Sequence, residues 1–484
     1  MRRSICLADP HVAEAGEKNT WTFTYTPAQD LPKGTKLLFD LNSKGRDIDW
    51  EAPTVNLKAK GNVIYAVLDR KKVIPAKAVE SKTSVVSNYE FVLPQAVDAG
   101  ENIVIYVGAP KPSGNLVVTN GTTAQLVSQR RRPFLISVDP SGKGKYGEAE
   151  PFHMDVRGGK LHTVKIITPS YVSKNKRFDI VLRFEDDHGN LTDNAPDDTL
   201  IELSYENLRE NLNWKLFIPE TGFLALPNLY FNEAGTYTIK LKNLKNKEEF
   251  FSSPIRCFSE NVKSLFWGSL HGESERYDST ENIESCLRHF RDEKAYNFYG
   301  VSPFESAEET PNDIWKSVSQ NIIDFNEEDR FVTFLGFQWQ GDAKVEGNRV
   351  FVFAKENKPI IRKKDAKANL KKLYKGFSNK EVIAIPSFTM GKGLDYDFKD
   401  FDPDFERVVE IYNSWGSSET SEKEGNPLPI DAETKSGVKE TAEGSIIKAL
   451  DRNCRFGFVG GGLDDRGFYN DFFDGGQVQY PPEL

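Results

Sequence analysis

The stretch FWGSLHGESE, residues 266–275, decides how the second half of this chain is read. An aromatic pair runs into small residues and then Leu270, His271, Gly272 and Glu273. An imidazole and a carboxylate two residues apart, just past a strand, are the residue types that open a metal site. Downstream, apolar strand-like segments alternate with helical ones. Strands are expected at Ser264–Trp267, Tyr296–Val301, Phe331–Phe337, Val350–Phe353, Val382–Ile385, Val408–Tyr412 and Phe456–Val459. A helix opens at Asp278-Ser279-Thr280-Glu281, an N-cap with a carboxylate three residues on. Its apolar face is Ile283, Cys286, Leu287 and Phe290, which leaves His289 on the surface. Further helices are expected near 312–325, 365–375 and 440–451. Such alternation implies parallel strands with crossovers, and we read residues 261–484 as a distorted β/α barrel. Chemistry in a barrel sits at the C-terminal ends of the strands. Those positions hold His271 and Glu273, then Ser302, Gln338, Ser387, Asn413 and Trp415, then Asp464 and Asp465.

The first 260 residues keep a different rhythm. Trp21-Thr22-Phe23-Thr24-Tyr25 is apolar at every second position, as are stretches near 102–107 and 236–241. Turn signals such as Lys33-Gly34 and Gly189-Asn190 separate them. This predicts an N-terminal β-sandwich region over 1–165 and an immunoglobulin-like β-sandwich over 166–260.

Composition narrows the function classes. The chain has 484 residues, too many for one ordinary core. Its formal charge is -9, from 63 Lys+Arg against 72 Asp+Glu, which argues against nucleic acid or an anionic membrane as partner. The basic runs Gln129-Arg130-Arg131-Arg132 and Arg362-Lys363-Lys364 read as solvated surface. There is no run of apolar residues long enough to span a membrane and no secretory leader pattern. The cysteines, Cys6, Cys257, Cys286 and Cys454, are far apart and read as free thiols, so a cytoplasmic location is expected. Asn120-Gly121-Thr122 and Asn190-Leu191-Thr192 fit the glycosylation sequon by chance under that reading.

The segments FWGSLHGES, EIYNSWGSSE (410–419) and GFVGGGLDDRG (457–467) resemble the barrel of the bacterial family known as domain of unknown function 3604. That family is related to the PHP (polymerase and histidinol phosphatase) metal-dependent phosphoesterases. Arg130-Arg131-Arg132-Pro133-Phe134 and Glu185-Asp186-Asp187-His188-Gly189-Asn190 are similar to its N-terminal region. The resemblance implies two or three metal ions held by histidines and carboxylates, and hydrolysis by a metal-bound water.

This chain departs from that pattern at most of the ligand positions. Ser269 stands where the family has an aspartate, Ser302-Pro303-Phe304 where it has a T-D-H triplet, and Gln338-Trp339 where it has Glu-Trp. Asn348, Ser387-Phe388 and Trp415 stand where it has histidines, and Asp464-Asp465-Arg466 replaces D-D-H. Of six histidines, His11, His153, His162 and His188 lie in the sandwich half, and only His271 and His289 lie in the barrel half. Neutral amides are poor ligands for such ions, and aromatic rings cannot bind them. The leading expectation is a non-catalytic relative that acts in binding or scaffolding and carries no cofactor. Phe304, Phe388, Trp415 and Arg466 would then fill the space of the ions. An alternative is a hydrolase with a reduced site, in which His271, Glu273, Asp464 and Asp465 hold one zinc, manganese or magnesium ion beside polar Gln338, Asn348, Asn413, Ser302 and Ser387. Another is a carbohydrate- or protein-binding protein acting through its sandwiches. Against the family's length, the barrel ends early at Leu484, so a second chain or a homodimer partner is expected to cover its open edge.

Overall fold

The computed structural model describes residues 3–43, 45, 47–68, 72–81, 86–109, 121–195, 200–205, 214–272, 283–301, 312–328, 330–342, 344–355, 369–413, 416–430 and 439–462. The chain divides into two units, Met1–Asn261 and Val262–Leu484. Among the described residues no helix is long and apolar enough to cross a membrane.

The first unit is built of strands in several sheets, around two apolar cores. Alternation makes the first core. In Trp21–Thr26 every second side chain is buried, so Trp21, Phe23 and Tyr25 face inward and the threonines outward. A five-stranded and a six-stranded sheet bury such residues between them. At the centre, Phe23 packs 4.5 Å from Phe134 and 5.1 Å from Phe39, centroid to centroid. Arg132 is here too, which corrects the reading of its basic run as solvated surface. It is buried, with its guanidinium 4.0 Å from the Phe134 ring and 4.9 Å from that of Trp50. The strand Gln129–Asp139 explains the difference: Arg130 and Arg131 lie exposed, and the next position turns inward. Burial pulls the Arg132 guanidinium down to about 9, opposed by Asp49 and Asp40.

Val164 and Ile166, on either side of the boundary expected at 165, both belong to the second core. The seam therefore falls between the strands Glu150–Arg157 and Thr163–Ile167. The Glu185–Asn190 motif fastens it. Asp186 Oδ2 accepts from the Gly159 amide at 2.8 Å, and Asn190 Nδ2 donates to the Leu126 carbonyl at 2.8 Å. Asn190 is buried in this joint.

In the second unit, numbering its own strands, β1 is Gly268–Gly272, β2 Phe298–Val301, β3 Val332–Gln340, β4 Asn348–Phe353 and β5 Val382–Ser387. They form one sheet in the order β1-β2-β3-β4-β5. β6 (Val408–Asn413) and β7 (Gly457–Gly462) pair in a second sheet with Gly416–Ser417. β5 lies alongside β6 and β7 alongside β1, so both sheets face one interior. The expectation of parallel strands throughout is corrected. β1, β2 and β3 are parallel, whereas β4 is antiparallel to both β3 and β5. Only seven residues, 341–347, join β3 to β4, and a parallel crossover needs a dozen or more. The first strand is also displaced from Ser264–Trp267. Leu265, Phe266 and Trp267 precede β1 and are exposed.

Helices α1 (Ile283–Arg288), α2 (Asn312–Phe325) and α3 (Leu370–Lys375) contribute to the core on the sheet's other face. Ile283, Cys286, Leu287 and Phe290 are buried there, as their spacing predicts. His289, read as a surface residue, lies in a π-helical turn, mostly buried and 2.7 Å from Glu293. The helix expected at 440–451 is a 3-10 turn, Ala442–Gly444, followed by α4, Ile446–Asp451, which Ser445 caps.

On the side of β4 away from the shared interior, Arg349 pairs with Glu406 at 3.1 Å, both fully buried. Tyr374 and Tyr396 donate to the two oxygens of Glu406 at 2.7 and 3.2 Å. Burial alone would lower the Arg349 guanidinium, but Glu406 more than offsets it and holds the cation charged.

Candidate functional site

The strand period sorts the shared interior of the second unit into two ends. On β3 the inward residues are Phe334, Gly336 and Gln338; on β5 they are Ile383, Ile385 and Ser387. β4 runs the opposite way and offers Asn348, Val350 and Val352. Its register pairs Asn348 with Ser387 and Gln340, so its first residue shares an end with the last residues of its neighbours. One end is therefore polar and the other apolar. Gly336 lets the strands close up between them: a Cβ there would fall 2.3 Å from the Phe351 carbonyl oxygen.

At the polar end the side chains form two bonded groups. His271 Nδ1 donates to Glu410 Oε2 at 2.6 Å, and Asn413 Nδ2 donates to Glu410 Oε1 at 2.6 Å. All three are buried. A carboxylate on Nδ1 fixes the tautomer and the ring orientation, leaving Nε2 as the acceptor. The pairing of β1 with β2 slips between Ser269 and Gly272, and this break lets adjacent Leu270 and His271 serve the same interior. The second group is neutral. Asn348 Nδ2 donates to Ser387 Oγ at 2.7 Å and lies 3.4 Å from Gln338 Oε1. Asn348 Oδ1 and Thr389 Oγ1 are buried with no hydrogen-bond partner among the described residues.

Phe388 borders His271. Its ring stands edge-on to the imidazole at 5.7 Å, interplanar angle 81°. Its backbone is left-handed, with φ 53, a conformation that bulky residues rarely adopt. Strain of this kind costs on the order of 1–3 kcal/mol and persists only where the surroundings enforce it.

The structure thus gathers His271, Gln338, Asn348, Ser387, Asn413 and Phe388 at one end of the strands. Glu273, Ser302, Phe304, Trp415, Asp464, Asp465 and Arg466 lie outside the described residues. Glu410 was not among the expected site residues. Its signal was present in Val408-Val409-Glu410-Ile411-Tyr412, a lone acid inside an apolar strand. Among the described residues no three His, Cys, Asp or Glu side chains gather as a metal-binding group. His271 and Glu410 are two donors beside neutral Asn348, Gln338 and Ser387. That described donor set does not fit a histidine-rich cluster of two or three ions.

No family model matches the chain. An uncharacterized protein of Chlamydia pneumoniae is 53% identical over 485 residues, covering 100% of this chain and 77% of that protein. Uncharacterized proteins of Chlamydia trachomatis serovar D and Chlamydia muridarum are each 51% identical, covering 100% of this chain and 78% of each relative. Among solved structures, the D00-D0 domain of intimin matches with TM-score 0.21 and 10% identity, over 53% of this chain and 100% of that one. The ICAM-5 D1-D4 ectodomain fragment matches with TM-score 0.17 and 8% identity, over 56% of each chain.

Proposed function

The chain belongs to one family with these uncharacterized chlamydial proteins, and on that premise we propose that its second unit is a non-catalytic relative of the PHP-like metal-dependent hydrolases, a barrel-like scaffold that serves binding. The observation that carries this is the chemistry of the polar end. Where the resemblance calls for charged or imidazole ligands, Asn348, Ser387 and Gln338 form a neutral, fully buried hydrogen-bonded group. Phe388 occupies the flank of the remaining imidazole. Neutral donors do not supply the charge that holds divalent ions together or lowers the pKa of water.

The test is elemental analysis of the purified chain by plasma mass spectrometry, paired with hydrolysis of bis(p-nitrophenyl) phosphate in added zinc, manganese or magnesium. The expected result is metal well below one equivalent and no turnover above that of His271→Ala. One tightly bound equivalent, with turnover abolished in His271→Ala, overturns it.

A second reading has its own observation. His271 is braced by Glu410 at 2.6 Å, and Glu410 in turn by Asn413. Carboxylate-braced imidazoles of this kind recur where a histidine binds a single catalytic metal. This reading predicts that Glu410→Gln weakens metal binding by 10- to 100-fold, on the order typical of outer partners.

A further inference from the structure

The apolar end of the second unit's interior opens into a cavity of about 600 Å³. Leu270, Phe298, Phe334, Val352 and Ile383 line it, one residue from each of the five strands of the sheet. They are the inward positions that alternate down to the polar end, so the cavity lies at the opposite end of the strands from Gln338, Asn348 and Ser387. This size and wall chemistry are those of small-molecule sites, which usually span some 300–1,000 Å³ and carry a few polar groups at one side.

The charged groups here are Glu328, Arg330, Lys380 and Arg407. They are not equivalent. Arg330 is already neutralised, with Nη1 3.0 Å from Glu327 and Nη2 3.4 Å from Asp292. Among the described residues Arg407 donates to neutral carbonyls, those of Asp404 at 3.1 Å and Asn379 at 3.0 Å. Lys380 has no carboxylate partner among the described residues. Both are exposed. Among the described lining residues, an apolar chamber therefore carries two cations with no carboxylate bonded to them, Lys380 and Arg407, and one acid, Glu328.

We propose that this cavity binds one single-chain amphiphile with an anionic head, the hydrocarbon chain against Leu270, Phe334, Val352 and Ile383 and the head at Lys380 and Arg407. Burial of the chain supplies affinity, and the two cations set its direction and select a charged head over a neutral one. A free fatty acid and a lysophospholipid share this chemistry. The site stands at the other end of the strands from His271 and holds whichever reading of the polar end is correct.

The experiment is a fluorescence titration of the full chain with cis-parinaric acid, kept below its critical micelle concentration, followed by displacement. The expected result is saturable binding at one probe per chain. Palmitate should displace the probe at least tenfold better than methyl palmitate. Displacement by a lysophosphatidic acid of equal chain length at least tenfold better than by palmitate assigns a phosphate head, and weaker displacement than by palmitate assigns a carboxylate. Ile383→Trp should abolish binding by filling the chamber. Lys380→Glu with Arg407→Glu, both surface changes, should weaken the acid at least tenfold and leave the ester unchanged. Equal displacement by acid and ester overturns the head assignment. Absence of saturable binding to the wild-type chain overturns the proposal. Concentration-dependent self-association that Lys380→Glu with Arg407→Glu abolishes also overturns it, by assigning the cavity to a second copy of the chain.

Discussion

Replacing Glu406 with Gln removes one charge from a fully buried group and keeps its shape. The carboxylate accepts from Arg349 Nε at 3.2 Å and Nη2 at 3.1 Å, and from Tyr374 and Tyr396 at 2.7 and 3.2 Å. After the change the Arg349 guanidinium, 3.8 Å from the Tyr396 ring, has that ring and the Asn348 carbonyl but no paired anion among the described residues. Breaking a buried pair by removing one partner costs about 3–5 kcal/mol, because it strands a charge away from water. The loss should appear in hydrogen exchange, followed by mass spectrometry, of peptides covering Asn348–Phe353 and Val382–Ser387. At about 1.4 kcal/mol per factor of ten, their protection should fall roughly a hundred- to several-thousandfold. Replacing both partners with apolar residues, Arg349→Met with Glu406→Leu, should recover part of it, since no charge is then left unpaired although the Tyr374 and Tyr396 hydroxyls lose their acceptor. A fall of less than tenfold in Glu406→Gln refutes the claim that this pair is desolvated, and a double variant as weak as the single one refutes the charge-stranding account.

Two further outcomes follow from packing and burial. Gly336→Ala should destabilise the second unit by about 1–3 kcal/mol, because the new methyl meets the Phe351 carbonyl, backbone that cannot swing aside; a melting temperature within about 1 °C of wild type refutes the close approach. Burial, with Glu150 nearby, pushes the Cys6 thiol up to about 12, so the folded chain disfavours its thiolate; alkylation by iodoacetamide at pH 8 should be slower than in the urea-unfolded chain by at least about tenfold, and equal rates refute it.

The period of two was legible wherever one face of a strand is buried, as in Trp21–Thr26, because alternation there is a direct record of burial. Leu265-Phe266-Trp267 misled for a physical reason. An aromatic run reads the same whether it pairs as a strand or stands exposed before one, and Phe266 lines the cavity wall. The antiparallel return of β4 could have been read from the seven residues before it, which are too few for a crossover. His271, Gln338, Ser387 and Asn413 were found because the expected strand–helix alternation collects strand ends at one rim, whereas Asn348 was named only through the resemblance. Glu410 and Glu406 were not, because an acid within or beside an apolar strand shows its partner only once distant residues, His271 and Arg349, are brought to it. Arg132 was hidden in the same way by its charged neighbours.

The sorting of the interior into a polar and an apolar end bears on how such a unit changes over generations. Apolar side chains gather at one end, in Phe334, Val352, Ile383 and their neighbours, and buried polar ones at the other. A side chain there can be exchanged for another that keeps its hydrogen bonds, without touching the apolar contacts between the strands. The polar end can therefore vary among residues that keep its buried hydrogen bonds while the unit keeps its shape.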